Sequence, residues 1–298
     1  MSEHYFQKAT CDNTQRCDRS VRRLVRGVPT ADGAGVKLTR LIGSSELDML
    51  DPFLLLDRFE SDQPDDYIAG FPPHPHRGFE TVTYMLEGRM RHRDSAGHEG
   101  VITSGGVQWM SAAKGIIHSE MPEQEAGLMS GLQLWVNLPS HKKMAEPEYH
   151  EYSSQTIPLE QRDSGCQLKV IAGRTSQGTE GPVIGRAVDP FYFDVSLNGN
   201  GCFIEPIPRS HSAFIYVLEG NVTVLGERSE QDTAVAKDEL AILQDGYRVQ
   251  IISEPPGARF ILVAGKPLNE PVARRGPFVM NTEAELKQAF QDYSSGQF

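Results

Sequence analysis

Four side chains stand out for the chemistry their types and spacing allow. His74 and His76 lie two apart in Pro72-Pro-His-Pro-His-Arg-Gly78, and His118 and Glu120 lie two apart in His118-Ser-Glu120. In an extended segment residues i and i+2 share a face, about 6.5–7 Å apart along the strand, so each pair presents two ligand-type groups together. The prolines around His74 and His76 disfavour helix and hold the extended form, which lowers the entropy cost of assembling a site. Two such pairs on opposed strands place four ligands about one ion. Glu80 is a rival carboxylate, because it shares parity with His74 and His76 if the strand runs straight, and parity alone does not choose between Glu80 and Glu120. Three neutral imidazoles and a carboxylate leave a divalent ion with net charge +1 and two open positions in an octahedral shell. Such a mixed set suits Fe, Mn, Ni, Co or Cu, whereas structural zinc favours a closed tetrahedral set. The ligands must be deprotonated, so acidification through the histidine range releases the ion.

These pairs need β elements to hold them. From Phe79 to Leu138 short runs rich in Val, Thr, Tyr, Ile and Trp are broken by Gly88, Gly97, Gly100, Gly105-Gly106, Gly115 and Gly127, the pattern of an antiparallel sandwich or barrel. Val36-Lys-Leu-Thr-Arg-Leu41 reads as an opening strand. Residues 141–160 are polar and carry Pro147 and Pro158, which reads as a wrapping linker. A second strand-rich block runs from Leu168 to Ala264, and Tyr84-Met-Leu-Glu-Gly88 recurs there as Tyr216-Val-Leu-Glu-Gly220. Gly115 and Gly246 repeat at nearly the same interval. The expectation is all-β: two tandem antiparallel barrels, residues 1–140 with the metal ligands and 161–298 without. With the 132-residue shift of the Tyr84 and Tyr216 repeat, Pro206 and Pro208 stand where the first copy has His74 and His76, and aligning Gly115 with Gly246 puts Val249 and Ile251 where it has His118 and Glu120. Thr282 and Glu285 form a capping box, predicting one helix from Glu283 to Tyr293.

Composition narrows the function classes. The 298 residues include 29 Lys and Arg against 40 Asp and Glu, a net charge of −11, which disfavours direct nucleic-acid binding. The start of the chain is not followed by an apolar stretch and no apolar run approaches the ~20 residues of a bilayer span, so a cytoplasmic protein without a membrane role is expected. The four cysteines, Cys11, Cys17, Cys166 and Cys202, show no Cys-x-x-Cys spacing and read as isolated thiols. The cluster Arg16, Arg19, Arg22, Arg23 and Arg26 reads as a solvated face or a charge-protected strand edge. His4, His92, His98, His141, His150 and His211 read as solvent-facing or structural.

The segments Asp51-Pro-Phe-Leu-Leu-Leu-Asp57, Phe71–Tyr84, His92-Arg-Asp-Ser95, Val107-Gln-Trp-Met110, Gly115-Ile-Ile-His-Ser-Glu120 and Gly131–Pro139 closely resemble pirin, a bicupin family. The likeness is dense over residues 50–150. It implies a pair of cupin jelly-roll barrels with one non-haem iron, Fe(II) or Fe(III), in the first, held by His74, His76, His118 and Glu120, with Mn, Ni, Co, Cu or Zn as substitutes. Glu80 then becomes a neighbour of the ligand shell, and Glu120 or Glu80 the base. Proximity to the motifs makes Phe71, Arg77, Met85 and Trp109 substrate-pocket candidates. The family's association with quercetin 2,3-dioxygenase implies cleavage of a flavonol-like aromatic with O2. A second implied role is an iron-dependent redox sensor that regulates a transcription factor or metabolic enzyme through protein contact, without turnover.

Overall fold

The computed structural model describes residues 18–298, so His4, Cys11, Arg16 and Cys17 lie outside the described residues. The chain forms β1 (Val21–Arg26), β2 (Val28–Asp32), β3 (Val36–Ile42), β4 (Phe53–Ser61), β5 (Phe71–His76), β6 (Phe79–Glu87), β7 (Arg89–Asp94) and β8 (Glu99–Thr103). It continues through β9 (Val107–Ser111), β10 (Ile116–Pro122), β11 (Met129–Asn137), β12 (Glu148–Tyr152), β13 (Leu159–Arg162), β14 (Cys166–Ala172), β15 (Phe191–Asn198) and β16 (Cys202–Pro206). Then come β17 (Ser212–Glu219), β18 (Val222–Val224), β19 (Thr233–Val235), β20 (Glu239–Leu243), β21 (Arg248–Ser253), β22 (Gly257–Gly265), β23 (Ala273–Arg275), β24 (Phe278–Met280) and α1 (Glu283–Ser294).

The sheets state the duplication. One seven-stranded sheet runs β12-β9-β6-β11-β4-β3-β2 and another runs β1-β20-β17-β22-β15-β14-β13; the four-stranded sheets run β5-β10-β7-β8 and β16-β21-β18-β19. Strand for strand the two sets correspond, and the Tyr84 and Tyr216 repeats occupy the ends of the equivalent β6 and β17. Their outer strands are exchanged in sequence. β1, near the N-terminus, pairs with β20 of the second module, whereas β12, from the segment read as a linker, pairs with β9 of the first. Arg22, Arg23 and Arg26 therefore lie on the edge strand of the second large sheet, where charge discourages further pairing. Arg19 differs from that reading, because it is buried and donates to the carbonyls of Pro208, Gly246 and Gln244.

The large sheets share an apolar core. Phe53, Tyr84, Trp109 and Leu134 of the first module pack with Tyr192, Phe214, Tyr216 and Ile261 of the second, and Phe53 meets Phe214 edge-to-face at 5.4 Å. The second barrel is filled by its own cluster, including Phe203, Val249, Ile251 and Phe260. The first has a smaller cluster, Val36, Leu38, Phe59, Tyr67, Met85, Met90, Ile102 and Met129, and leaves room inside.

After β22 the chain crosses back to the first module. Thr282 caps α1 by accepting from the Glu285 N–H, with the Glu285 side chain reciprocating, as the sequence predicts. Arg77 is bridged to Phe278, and Val279 N–H donates to the Arg77 carbonyl. Gly78 permits this approach: its φ is 91°, and a Cβ there would lie 1.9 Å from the Val279 oxygen. No helix among the described residues is long and apolar enough to cross a membrane.

Candidate metal centre

β5 and β10 are neighbours in the first small sheet, with His74 opposite His118 and His76 opposite Ile116. The i, i+2 alternation of β5 turns both of its histidines to the side on which His118 projects. One ring nitrogen from each of His74, His76 and His118 falls within 4.8 Å of the others. His74 Nε2 lies 3.1 Å from His76 Nε2, and the His74 and His118 ring centroids are 4.4 Å apart.

The protonation pattern suits a cation. His74 Nδ1 is 2.8 Å from the Pro72 carbonyl oxygen, which assigns the ring proton to Nδ1 and leaves Nε2 with its lone pair toward the cluster. His118 Nε2 is buried with no hydrogen-bond partner. Burial and the neighbouring rings hold His76 and His118 well below the ordinary imidazole range, so both are neutral near pH 7. Three lone pairs converging on a buried point repel one another unless something electron-poor lies between them. These residues therefore fit a divalent transition metal.

A support line stands behind His118. His118 Nδ1 is 3.4 Å from His92 Nδ1, and His92 Nε2 is 3.2 Å from Asp94 Oδ2. A consistent proton order has His118 Nδ1–H donating to His92 and His92 Nε2–H donating to Asp94, the arrangement that fixes a metal-binding tautomer. Although burial opposes it, the His98 backbone N–H and the His92 and His98 rings keep the Asp94 carboxyl below its usual range. His92 is fully buried and stacks on Tyr149. Sequence reading did not connect it to the cluster; the signal was its place opposite Glu120 on β7.

Glu120 stands beside the histidines rather than within that tight group. Its Oε1 is 2.8 Å from the Thr83 hydroxyl and its Oε2 is 3.3 Å from Gln133 Nε2. Glu80 is elsewhere. The chain turns at Arg77-Gly78 and leaves the small sheet for β6 of the large one, which breaks the straight-strand parity. On β6 the side chains of Glu80, Val82 and Tyr84 face the other module, and Glu80 Oε1 lies 3.4 Å from Arg186. Burial raises the Glu80 carboxyl despite Arg186, but it has no contact with the histidines that makes it a base there.

A cavity of about 610 Å³ opens on the cluster. Leu55, Phe59, Phe71, Pro72, Met90 and Trp135 give it apolar walls; His74, His76, Thr83, Glu120 and Gln133 form the polar end. Trp135 also meets His76 edge-on at 5.1 Å. Of the four pocket candidates, Phe71 lines this cavity. Arg77 does not: its guanidinium turns to Asp292 of α1 at 2.6 Å and to the Phe298 ring. Met85 is buried in the barrel cluster with Val36 and Phe59, and Trp109 lies opposite Val82 in the core between modules.

Among the described residues the second module has no equivalent group. Glu205 pairs with Val249 across β16 and β21, as His74 pairs with His118 across β5 and β10. Matching inward faces, Glu205 and Ile207, rather than Pro206 and Pro208, replace His74 and His76, while Val249 and Ile251 replace His118 and Glu120 as the repeat predicts. Glu205 is committed to Arg162, at 2.5 Å, and to the Ser176 N–H.

A family model described as pirin matches residues 35–136, and one described as the pirin C-terminal cupin domain matches residues 192–298. A pirin-like protein of Caulobacter vibrioides is 53% identical over 281 residues, spanning 94% of this chain and 99% of its own. The crystal structure of a quercetin 2,3-dioxygenase from Acinetobacter baumannii superposes with a TM-score of 0.84 at 33% identity, covering 94% of this chain and 98% of that one. Bacterial pirin YhhW of Escherichia coli, crystallised in complex with nickel(II), shares the fold with a TM-score of 0.59 at 20% identity, covering 82% of this chain and 98% of that one. With two barrels, a three-histidine metal site in the first and matches along nearly its whole length, the chain belongs to the pirin family.

Proposed function

We propose that this protein is an iron-dependent dioxygenase of the quercetin 2,3-dioxygenase type, with the metal held by His74, His76 and His118 and completed by Glu120. The observation that carries the reading is the placement of three converging imidazoles at the polar end of a largely apolar-walled cavity of about 610 Å³, ample for one flat aromatic. The Acinetobacter relative's name supports the reaction class. Fe(II) bound there supplies Lewis acidity toward a substrate hydroxyl and a redox centre for O2 chemistry.

The chain's own groups supply the rest. Phe71, Pro72 and Trp135 confine a planar ring and exclude water from one side. Glu120, aimed by Thr83 and Gln133, accepts the proton of the substrate hydroxyl, and the same two residues keep it oriented for return of that proton. The cavity favours turnover over the redox-sensor reading, since a sensor acting through surface contact has no use for an aromatic-sized space beside the metal ligands. The test is O2 consumption coupled to loss of quercetin by iron-reconstituted protein. Turnover should exceed that of free iron and vanish in His76→Ala; a rate no greater than free iron rejects the enzyme reading.

A further inference from the structure

The wall of this cavity carries a charge that the proposed chemistry does not use. Arg274, on β23 of the returning C-terminal segment, lines the cavity with Arg40, Asp57 and Asp32. Arg40 is already paired: its Nε and Nη2 hold both oxygens of Asp57 at 2.9 and 2.7 Å, and Nη2 reaches Asp32 at 2.9 Å. Arg274 is not. Its Nη1 donates to the Leu54 carbonyl at 2.9 Å, its guanidinium lies 5.0 Å from the Trp135 ring centroid, and it forms no ion pair among the described residues. Four of its five N–H donors have no hydrogen-bond acceptor among those residues. Burial, and then Arg40, pull this guanidinium below its ordinary value, while Asp48 and Asp57 act the other way.

We propose that Arg274 is an anion anchor, and that the cavity takes a planar aromatic bearing a carboxylate that meets this guanidinium. This rests on reading the cavity as a substrate site. A guanidinium offers two parallel N–H groups that match the two oxygens of a carboxylate, whereas a phenol or phenolate offers one oxygen and uses half of that fork. The Leu54 carbonyl and the Trp135 face hold Arg274 in place before ligand arrives, which reduces the ordering cost of the contact. Trp135 touches both His76 and Arg274, so one indole packs against the histidine group and the guanidinium alike.

The test is binding to nickel-loaded protein without oxygen, so that it does not depend on turnover. Three probes share one ring system: 3-hydroxyflavone, its 4′-carboxylate and its 4′-hydroxyl derivative. The native protein should prefer the carboxylate over the other two by about 10- to 100-fold, as expected for charge-assisted hydrogen bonds. Arg274→Gln should erase that preference, leave 3-hydroxyflavone within about twofold, and keep the nickel content unchanged; Arg274→Lys should retain part of it. Equal affinities for the three probes, a preference for the phenol, no binding of any probe, or equal weakening of all probes by Arg274→Gln overturns the anchor. Should Arg274→Gln melt early, the native preference and Arg274→Lys still decide. Carboxylate preference without O2 consumption leaves the anchor standing and rejects the dioxygenase reading alone.

Discussion

The line His118–His92–Asp94 makes a quantitative demand on metal affinity. Replacing His92 by Leu keeps a buried side chain against Tyr149 and removes the acceptor for His118 Nδ1–H. A buried donor left without a partner costs about 1–3 kcal/mol. The contacts of 3.4 and 3.2 Å are long, which places the loss toward the lower end. A cost of about 1.4–2 kcal/mol weakens metal binding roughly 10- to 30-fold, within the range for partners that orient a ligating imidazole. Asp94→Asn should do less, about 3- to 10-fold, because the amide oxygen still accepts from His92 but carries no charge. Competition of Ni(II) against a calibrated chelator gives both constants, and the double variant should be no weaker than His92→Leu by more than about twofold if the two residues act in series. Affinity within twofold of native for His92→Leu, with a lowered apo melting temperature, would reduce His92 to packing and refute the relay.

Removing a ligand should show directly in elemental analysis: His118→Ala should bring bound metal from near one equivalent to less than about a tenth, and Glu120→Ala should retain metal with lower affinity, because Glu120 lies beside the three-histidine group. The apo protein should lose stability on acidification. His76 and His118 are depressed in the folded state, so below about pH 6.5 the unfolded chain binds more protons and each ring removes about 1.4 kcal/mol per pH unit until its folded pKa is reached. Stability is complete above that pH, and denaturant midpoints should show the metal-loaded protein holding its plateau further into acid. Arg77→Met breaks the 2.6 Å contact with Asp292 and the stacking on Phe298, and should cost about 2–3 kcal/mol, read as a melting temperature about 4–12 °C lower; an unchanged melt means the tail does not stabilise the first module.

Local signals were legible in the sequence, and signals that cross between sheets were not. The prolines around His74 and His76 fix an extended segment, so the shared face of that pair followed from the chain itself, and the glycine-punctuated runs fixed the barrel class. The capping box at Thr282 and Glu285 likewise needs only its own neighbours. Glu80 was misplaced because parity assumes one strand, whereas Gly78 turns the chain into a different sheet. Trp109 and Arg77 lie beside motif residues in sequence but face the module interface and α1. Arg274 and Leu54 are 220 positions apart, and no periodicity in either segment predicts that the tail returns to the first barrel.

One duplicated fold thus keeps one site, and the interiors show why both cannot be used alike. The first barrel keeps an open cavity and lines it with His74, His76, Thr83, Glu120 and Gln133, groups that water, a metal or substrate can satisfy. The second barrel takes the opposite course. Ile207, Val249 and Ile251 stand at ligand positions, Phe203 and Phe260 fill the centre, and the inward carboxylate of Glu205 is paired with Arg162. A buried Phe contributes about 1.5–3 kcal/mol, so these residues stabilise the second module from within. The first module leans on it through the shared Phe53–Phe214 core and on the second module's own C-terminal extension, which supplies α1 and Arg274. Mutations that loosen this tail should therefore reach the metal cavity before they unfold either barrel, because Arg77 adjoins His76 and Arg274 lines the cavity itself.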